Sequence, residues 1–271
     1  MSAGASNWIP RRRIRIAVAL ALAFATAAAV GTSWSPVMFV LAIPALGAGW
    51  AAFLMLWIRR QLSADGGGWE RRIHDLVVSR LALSADARLC VLDIGCGDGS
   101  LLAVLLQRAP ALRATGVDFW GANWDYAQSA CEARLSRLGH NARFLRMDAA
   151  RLDFPDESFD AVVSVMCFHE VRAPRRAKMR GPVRALSEAL RVLRPDGTFV
   201  FVDRFADAAD YGRPRELAAV LRRATDLRRE SLVAALDVPW PLKTKRAMGP
   251  VEILSGRKAS EPSGPPRHLS R

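Results

Sequence analysis

The stretch "VLDIGCGDGS" (residues 91–100) breaks from a short apolar run into glycines at positions 95, 97 and 99. Such a run followed by alternating glycines reads as a strand feeding a tight turn, where missing Cβ atoms let the backbone approach a small polar ligand. The flanking sequence repeats the strand signal. "RLCVLDI" (88–94), "RATGVDF" (113–119), "ARFLRM" (142–147), "FDAVVSVMCF" (159–168) and "TFVFVDRF" (198–205) are all predicted strands. Between them "LLAVLLQRA", the segment Tyr126 to Leu138 and "VRALSEALRVL" (183–193) read as helices, the last stopped by "RPDG". Trp69, Ile73, Leu76, Val77 and Leu81 recur at helical spacing ahead of the first strand. Strands alternating with helices predict an α/β fold with a doubly wound, mostly parallel sheet. Beyond Arg213 the pattern predicts one helix to about Arg229, then a terminal strand pair ending in "VEILSG" (251–256).

In an open parallel sheet, ligands bind at the carboxyl ends of the strands, near the switch in strand order. A glycine-rich turn there is common to many nucleotide-binding folds, so the neighbouring residues must separate them. The dinucleotide fingerprint is G-x-G-x-x-G. Here Gly95, Gly97 and Gly99 are spaced G-x-G-x-G, and Ser100 stands in the place of the third fingerprint glycine. Asp93, two residues before the first glycine, would repel a pyrophosphate but suits a cationic amine. No Lys-Ser/Thr pair follows the loop, which excludes a phosphate-cradling P-loop. The expected ligand carries a nucleoside and a cationic amine and lacks phosphates, properties that S-adenosylmethionine (SAM) has.

"VLDIGCGDG" resembles the first motif of class I SAM-dependent methyltransferases, and the resemblance continues in order over roughly residues 70 to 205. "GVDFW" resembles the second strand end, "RMDAARLDFPDESFDAVVSV" the segment leading into the fourth strand, and "EALRVLRPDGTFVFVD" the helix, turn and fifth strand. The resemblance implies a seven-stranded Rossmann-like sheet with SAM as cofactor. It implies that Asp118 grips the ribose hydroxyls and that Asp148 contacts adenine. Asp93, Gly95, Cys96, Gly97, Phe119 and Ala149 complete the implied cofactor-binding set, Cys96 through its backbone alone. For Asp93 and Asp118 the alternative role is to cap their own turns, and for Asp148 the neighbouring acids Asp153 and Asp156 are rival candidates. His169 or Glu170, in "CFHEV" just past the fourth strand, falls in the family's active-site region. A histidine titrating near neutrality suits proton removal, although the same ring could simply line the pocket. No asparagine-proline-type tetrad of nucleic-acid amino methyltransferases follows this strand, so nucleic acid is not the expected partner. Cys90, Cys96, Cys131 and Cys167 form no CxxC pair and lack histidines at metal-ligand spacing. With Cys90 and Cys167 in predicted strands, they read as reduced thiols, with neither disulfide nor metal.

The amino-terminal quarter has another character. No charged residue occurs from Ile16 to Ile58, while Arg11, Arg12, Arg13, Arg15, Arg59 and Arg60 bracket that stretch. Two segments, 15–34 and 37–58, each supply the roughly 20 apolar residues that a membrane-crossing helix needs. "TSWSP" between them suits a tight interfacial turn. Trp34 and Trp57 fit interfacial positions. The alanines of the first span, with Gly47 and Gly49 of the second, would allow close helix approach, and Pro44 would bend the second helix. A cleavable signal peptide and a buried soluble hairpin are the alternatives, but a second full-length span argues against simple secretion. The net charge of +13 alone could suggest nucleic acid. Arginines outside both spans and none in the turn instead read as a cell-membrane anchor with both ends cytoplasmic. A second basic cluster (Arg172, Arg175, Arg176, Lys178 and Arg180) reads as a solvated loop with anionic headgroups as a possible neighbour.

The expected organisation is therefore an anchor over residues 1–60, a glycine-rich linker at 61–68, a methyltransferase domain at 69–258 and a disordered tail at 259–271. The expected function is a membrane-anchored SAM-dependent methyltransferase whose acceptor is a lipid or another hydrophobic small molecule. A non-catalytic SAM-binding scaffold and an NAD(P)-dependent oxidoreductase are the alternatives.

Overall fold

The computed structural model describes residues 8–121, 127–172, 179–245 and 247–260. Tyr126, Arg175, Arg176, Lys178 and residues 261–271 of the tail lie outside them. Contacts divide the chain into two compact units. Residues up to Arg72, with Gly121, fall in the first; Ile73–Trp120 and the chain from Ala127 onward form the second.

The first unit is a helical hairpin. Helix α1 (Arg11–Gly31) turns through Thr32–Ser35 into a 3-10 helix (Pro36–Leu41), which runs on into α2 (Ala42–Leu62). Pro44 lies in the first turn of α2, where helical N–H groups have no intrahelical partner, so the ring costs the helix no hydrogen bond. Both segments are long and apolar enough to cross a membrane. Leu22, Val30, Ile43, Leu46 and Phe53 are each more than half exposed. The close packing comes from alanines of the first span, as the spacing suggested, but on the second helix from alanines rather than from Gly47 and Gly49. Ala17 and Ala28 of α1 and Ala45 and Ala52 of α2 are buried, whereas a Cβ on Gly47 or Gly49 would meet nothing within 4 Å. Those two glycines face away from the helix contact. The glycine that does permit close approach is Gly31, whose added Cβ would lie 2.8 Å from that of Met38.

The second unit opens with the remainder of α3 (Trp69–Leu81), in which Ile73 and Val77 are fully buried. There follow β1 (Cys90–Ile94), α4 (Ser100–Arg108), β2 (Arg113–Asp118), α5 (Gln128–Arg137), β3 (Arg143–Arg146), β4 (Phe159–Val165) and α6 (Gly181–Val192). The chain continues through β5 (Leu193–Asp203), α7 (Ala208–Tyr211), α8 (Pro214–Leu221), β6 (Ala224–Ser231), α9 (Leu232–Leu236) and β7 (Glu252–Lys258). The strands form one seven-stranded sheet in the order β3-β2-β1-β4-β5-β7-β6. Strands β1 to β5 pair in parallel, and β7 runs antiparallel to both β5 and β6. Every residue of β1 after Cys90 is buried, as is nearly all of β4. Such continuous burial is the mark of parallel strands covered on both faces. Phe168, Phe199 and Phe201 are fully buried and stack edge-on or face-on, with Leu186 and Leu190 of α6 in the same core.

Three expectations are corrected. The helix predicted to run to Arg229 ends at Leu221, and residues 224–231 form the edge strand β6. Almost all of β6 is exposed, so no apolar alternation marks it. Its pairing with β7, reinforced by Arg229 on Glu252 and Glu230 on Arg80, overrides a charge pattern of helical type. Cys167 is not in a strand: β4 stops at Val165, and Cys167 caps a short 3-10 helix (Phe168–Glu170). Finally, "RPDG" does not separate α6 from the fifth strand as a free turn. It is taken into the start of β5, where the pairing with β4 shifts register and Asp196 adopts a φ of +59°.

The hairpin packing can be tested directly. Ala52→Leu should overpack the helix contact and cost about 1–3 kcal/mol, read as a lower unfolding temperature of the hairpin in detergent. Gly47→Ala, on the open face, should be neutral or stabilising, by up to about 1 kcal/mol of helix propensity.

Candidate active site

The carboxyl edge of the parallel sheet gathers the chemistry, because β1, β2 and β5 each carry an aspartate at or next to their ends: Asp93, Asp118 and Asp203. The glycine loop leaves β1 between them. Gly95, Gly97 and Gly99 have φ of +77°, +57° and +76°, conformations that only glycine adopts without strain. The N–H groups of Gly95 and Cys96 both donate to the Val117 carbonyl, at 2.7 and 3.1 Å, and so pin the loop to the end of β2. Gly95 is doubly required. A Cβ there would lie 2.3 Å from the Cβ of Cys167, so the segment after β4 packs directly against this backbone.

Asp118 is tied into the same loop. Its Oδ2 accepts from Gly97 N at 2.9 Å and its Oδ1 from Trp120 N at 2.8 Å. The Trp120 indole in turn donates to the Gly97 carbonyl at 2.8 Å. Burial pushes the Asp118 carboxyl upward, partly countered by those backbone N–H groups. Cys96 has its side chain buried beneath the loop, against Gly116, so the face toward a ligand is its backbone. Burial holds the thiols of Cys96 and Cys167 well above their ordinary range, which removes their nucleophilic form near neutrality. Phe119 is exposed, with the Arg146 guanidinium 5.1 Å above its ring. Asp148 and Ala149 follow β3, held at the edge by Met147 N donating to the Asp118 carbonyl. The Asp148 Oδ1 accepts from Ala150 N at 2.9 Å, so this carboxylate also shapes its own turn.

Asp93 is the most informative residue. It is 1% exposed, and its Oδ2 has no hydrogen-bond partner among the described residues. Burial raises its carboxyl well above the usual range, and the nearby charges of Asp118 and Asp98 add to the rise. A buried carboxylate oxygen without a donor is costly to leave unmet. A cationic amine would relieve both the missing donor and the repulsion. The residues present therefore fit a ligand with an ammonium group beside the loop, as SAM has.

On the other side of Gly95, Phe168 turns into the core and its successor His169 turns away from it. The His169 Nδ1 lies 2.8 Å from the Asp203 Oδ1, and Glu170 Oε1 lies 3.6 Å from Nε2. Asp203 is 1% exposed and also accepts from Arg204 N at 2.6 Å. Burial lowers the His169 pKa, but the charge and hydrogen bond of Asp203 outweigh it and lift the ring above its usual 6.5. Tyr211 is buried nearby, its phenol pushed up by burial and by the Asp203 charge. The sheet edge thus places Asp93, the glycine loop and Asp118 together, with the turn at Asp148 tied to Asp118, and beyond Gly95 it joins His169 to Asp203, beside which Tyr211 is buried. For Asp203 a signal was available: "FVFVD" ends in aspartate as "GVD" does, at the same edge of the sheet. Tyr211 had none, because it lies in a four-residue helix with no periodicity to read.

Residues 92–201 match the sequence profile of a family described as a methyltransferase domain. The sheet order and glycine loop are those of the Rossmann-like methyltransferase fold, and with this match they make the second unit similar to class I SAM-dependent methyltransferase domains. Over 135 residues the chain is 34% identical to a demethylmenaquinone methyltransferase of Thermus thermophilus, covering 50% of this chain and 53% of that protein. Over 116 residues it is 34% identical to a phosphatidylethanolamine N-methyltransferase of Cereibacter sphaeroides, covering 43% and 51%. The match thus spans about half the length of these relatives. The geranyl diphosphate C-methyltransferase of Streptomyces coelicolor superposes with a TM-score of 0.52 at 14% identity, over 70% of this chain and 79% of that one, a likeness of fold alone.

Asp93→Asn separates the two consequences of the orphaned carboxylate. It removes a buried charge, so the free protein should gain about 1–3 kcal/mol near neutral pH. The gain should shrink as pH falls toward 3.8, because the raised pKa of Asp93 costs stability only above its unfolded value. SAM at a hundredfold excess over Kd stabilises a protein by about 2.7 kcal/mol, and the variant should lose that shift in thermal unfolding.

Proposed function

We propose that this chain is a membrane-anchored enzyme that methylates a hydrophobic, lipid-like acceptor at the cytoplasmic face, with His169 as the base that takes the acceptor's proton. The His169–Asp203 pair, seated against Gly95 through Cys167, is the observation that carries this reading. When bound, SAM supplies a methyl group on a sulfonium already activated for displacement. Asp93 holds the ammonium group, Asp118 the ribose hydroxyls, and the turn at Asp148–Ala149, with Phe119, the adenine. The chain's own part is to align the acceptor, exclude water and accept a proton.

The proton's location follows from the hydrogen bonds. An ionised carboxylate only accepts, so Nδ1 of His169 carries the hydrogen toward Asp203, and Nε2 is left as the acceptor. Nε2 then takes the proton of a phenol, an amine or a stabilised carbon acid, and the Asp203 charge stabilises the resulting imidazolium. Glu170 sits close enough to Nε2 to bear on that charge without replacing the ring.

Two supports favour a lipid-like acceptor. The hairpin carries two helices of membrane-crossing length, with arginines outside both and none in the turn. Tethering there raises the local concentration of acceptors dissolved in the same leaflet. The named acceptors of the two relatives above, a quinone precursor and a phospholipid, also reside in membranes.

Two experiments test the reading. In pH profiles of kcat/KM, the rising limb of the wild type should lie above pH 6.5, since the base acts neutral and Asp203 raises its pKa. Asp203→Asn should move that limb to lower pH while lowering the plateau. His169→Ala should lose roughly 10²–10⁴-fold, and an unchanged plateau in His169→Ala would reject it as base. Methyl-labelled SAM supplied to inverted vesicles should label the lipid extract, and supplied to right-side-out vesicles should not. Label confined to protein or to water-soluble products would overturn the acceptor class.

A further inference from the structure

The second unit carries an exposed feature that methyl transfer does not use. Between α9 and β7 the chain crosses through "DVPWPLKTKRAMGPV" (237–251). This connection folds back on itself. Leu242 N donates to the Pro239 carbonyl at 2.9 Å, Thr244 N to Pro241 at 3.1 Å, and Met248 N returns to Leu242 at 2.9 Å. Val238, Leu242, Met248 and Val251 are buried. Trp240 is not: at 74% it is the most exposed large apolar side chain among the described residues of this unit. Prolines at 239 and 241 restrict the backbone on both sides of it. A segment that covers four of its own apolar residues while turning the largest outward holds that ring out by its fold.

The place of the loop narrows what covers the ring. It enters β7 at Glu252, which pairs with Asp203 across the sheet, and its Pro250 carbonyl accepts from Ala206 N at 3.3 Å. Trp240 therefore belongs to a loop on the sheet edge that holds the His169–Asp203 pair. Its sequence neighbours are basic: one acid, Asp237, stands against Lys243, Lys245 and Arg246. Lys243 pairs with Asp237 at 3.3 Å, and the Lys245 charge also bears on Asp207. Asp237 is 97% exposed, and ion pairs in open solvent are weak, so neither lysine is committed by these contacts. An indole beside ammonium groups on long aliphatic stems suits a membrane–water interface, where the ring sits at headgroup level and the lysines reach anionic lipid. A protein partner would ask for a broader apolar patch than one ring.

We infer that the loop at Trp240 is a superficial membrane contact, its indole entering the headgroup layer of an anionic bilayer while Lys243 and Lys245 meet lipid phosphates. A two-helix tether keeps the domain near a leaflet but does not choose which edge faces it. This contact turns the carboxyl edge, with His169, toward the acceptor. The inference rests on the membrane reading of the hairpin.

The full chain is reconstituted into nanodiscs of phosphatidylcholine and phosphatidylglycerol, and the emission of Trp240 is taken as wild type minus Trp240→Phe. Lipid brominated near the top of the acyl chains should quench most of that difference, and aqueous iodide little of it. Lys245→Gln should lower the ratio of docked to undocked loop about fivefold, the loss of one lysine at an anionic surface. Arg113→Gln, which removes the same charge at the opposite edge of the sheet where β2 begins, should leave the ratio unchanged. Quenching of Trp240 by iodide and not by brominated lipid would overturn the contact. Quenching by neither would mean that protein covers the ring, and would overturn it too. Trp34, Trp50 and Trp57 of the hairpin remain in Trp240→Phe, so lipid quenching of that variant reports the anchor separately. A quenched remainder with an unquenched Trp240 rejects this contact alone, and an unquenched remainder rejects the membrane reading.

Discussion

The contact between Gly95 and Cys167 leaves no room for a methyl group, and the active site is organised around it. Parallel strands β1 and β4 are neighbours at the point where the strand order reverses, so their carboxyl ends diverge into separate loops. Packing those loops backbone to side chain, with a positive φ on the glycine side, keeps them together again above the sheet. One loop carries Asp93 at its root and the donors to Asp118. The other carries His169. Any side chain at position 95 would push the segment that carries His169 away from the glycine loop.

The same edge concentrates like charge. Asp93, Asp118 and Asp203 end three strands of one sheet, and Asp93 and Asp203 are almost wholly buried. Each carboxylate meets this in a different way. Asp118 spreads its charge over two backbone donors, Asp203 shares a proton with His169, and Asp93 Oδ2 meets no donor among the described residues. That difference sorts their roles more firmly than position alone. A carboxylate satisfied by the protein orients its neighbours, whereas an unsatisfied one is complementary to a cation brought by a ligand.

The hairpin follows another pattern of burial. In the second unit most large apolar residues are covered by protein. In the first, Leu22, Val30, Ile43, Leu46 and Phe53 are turned outward, while small alanines face the helix contact. This inversion is what a lipid environment selects, since tails are as apolar as leucine and helix association then depends on close packing of small residues. Within α1 and α2 the arginines near their ends are the only ionised side chains.

The sequence by itself determined the parallel α/β order, the glycine loop, the charged brackets of the hairpin and the placing of Asp93, Asp118, Asp148 and His169 at strand ends. These are local matters: buried parallel strands must be continuously apolar, and a turn that approaches a ligand must shed its side chains. Strand β6 was illegible because an exposed edge strand carries no alternation, and its state is decided by β7 across the chain. The outward facing of Gly47 and Gly49 was equally hidden, since helical spacing does not say which of several small faces meets a partner. Only the tertiary structure paired His169 with Asp203 and left one oxygen of Asp93 without a donor among the described residues. Each of these joins residues tens of positions or more apart in the chain, or depends on which donors fail to arrive, and distance and absence leave no mark on local sequence.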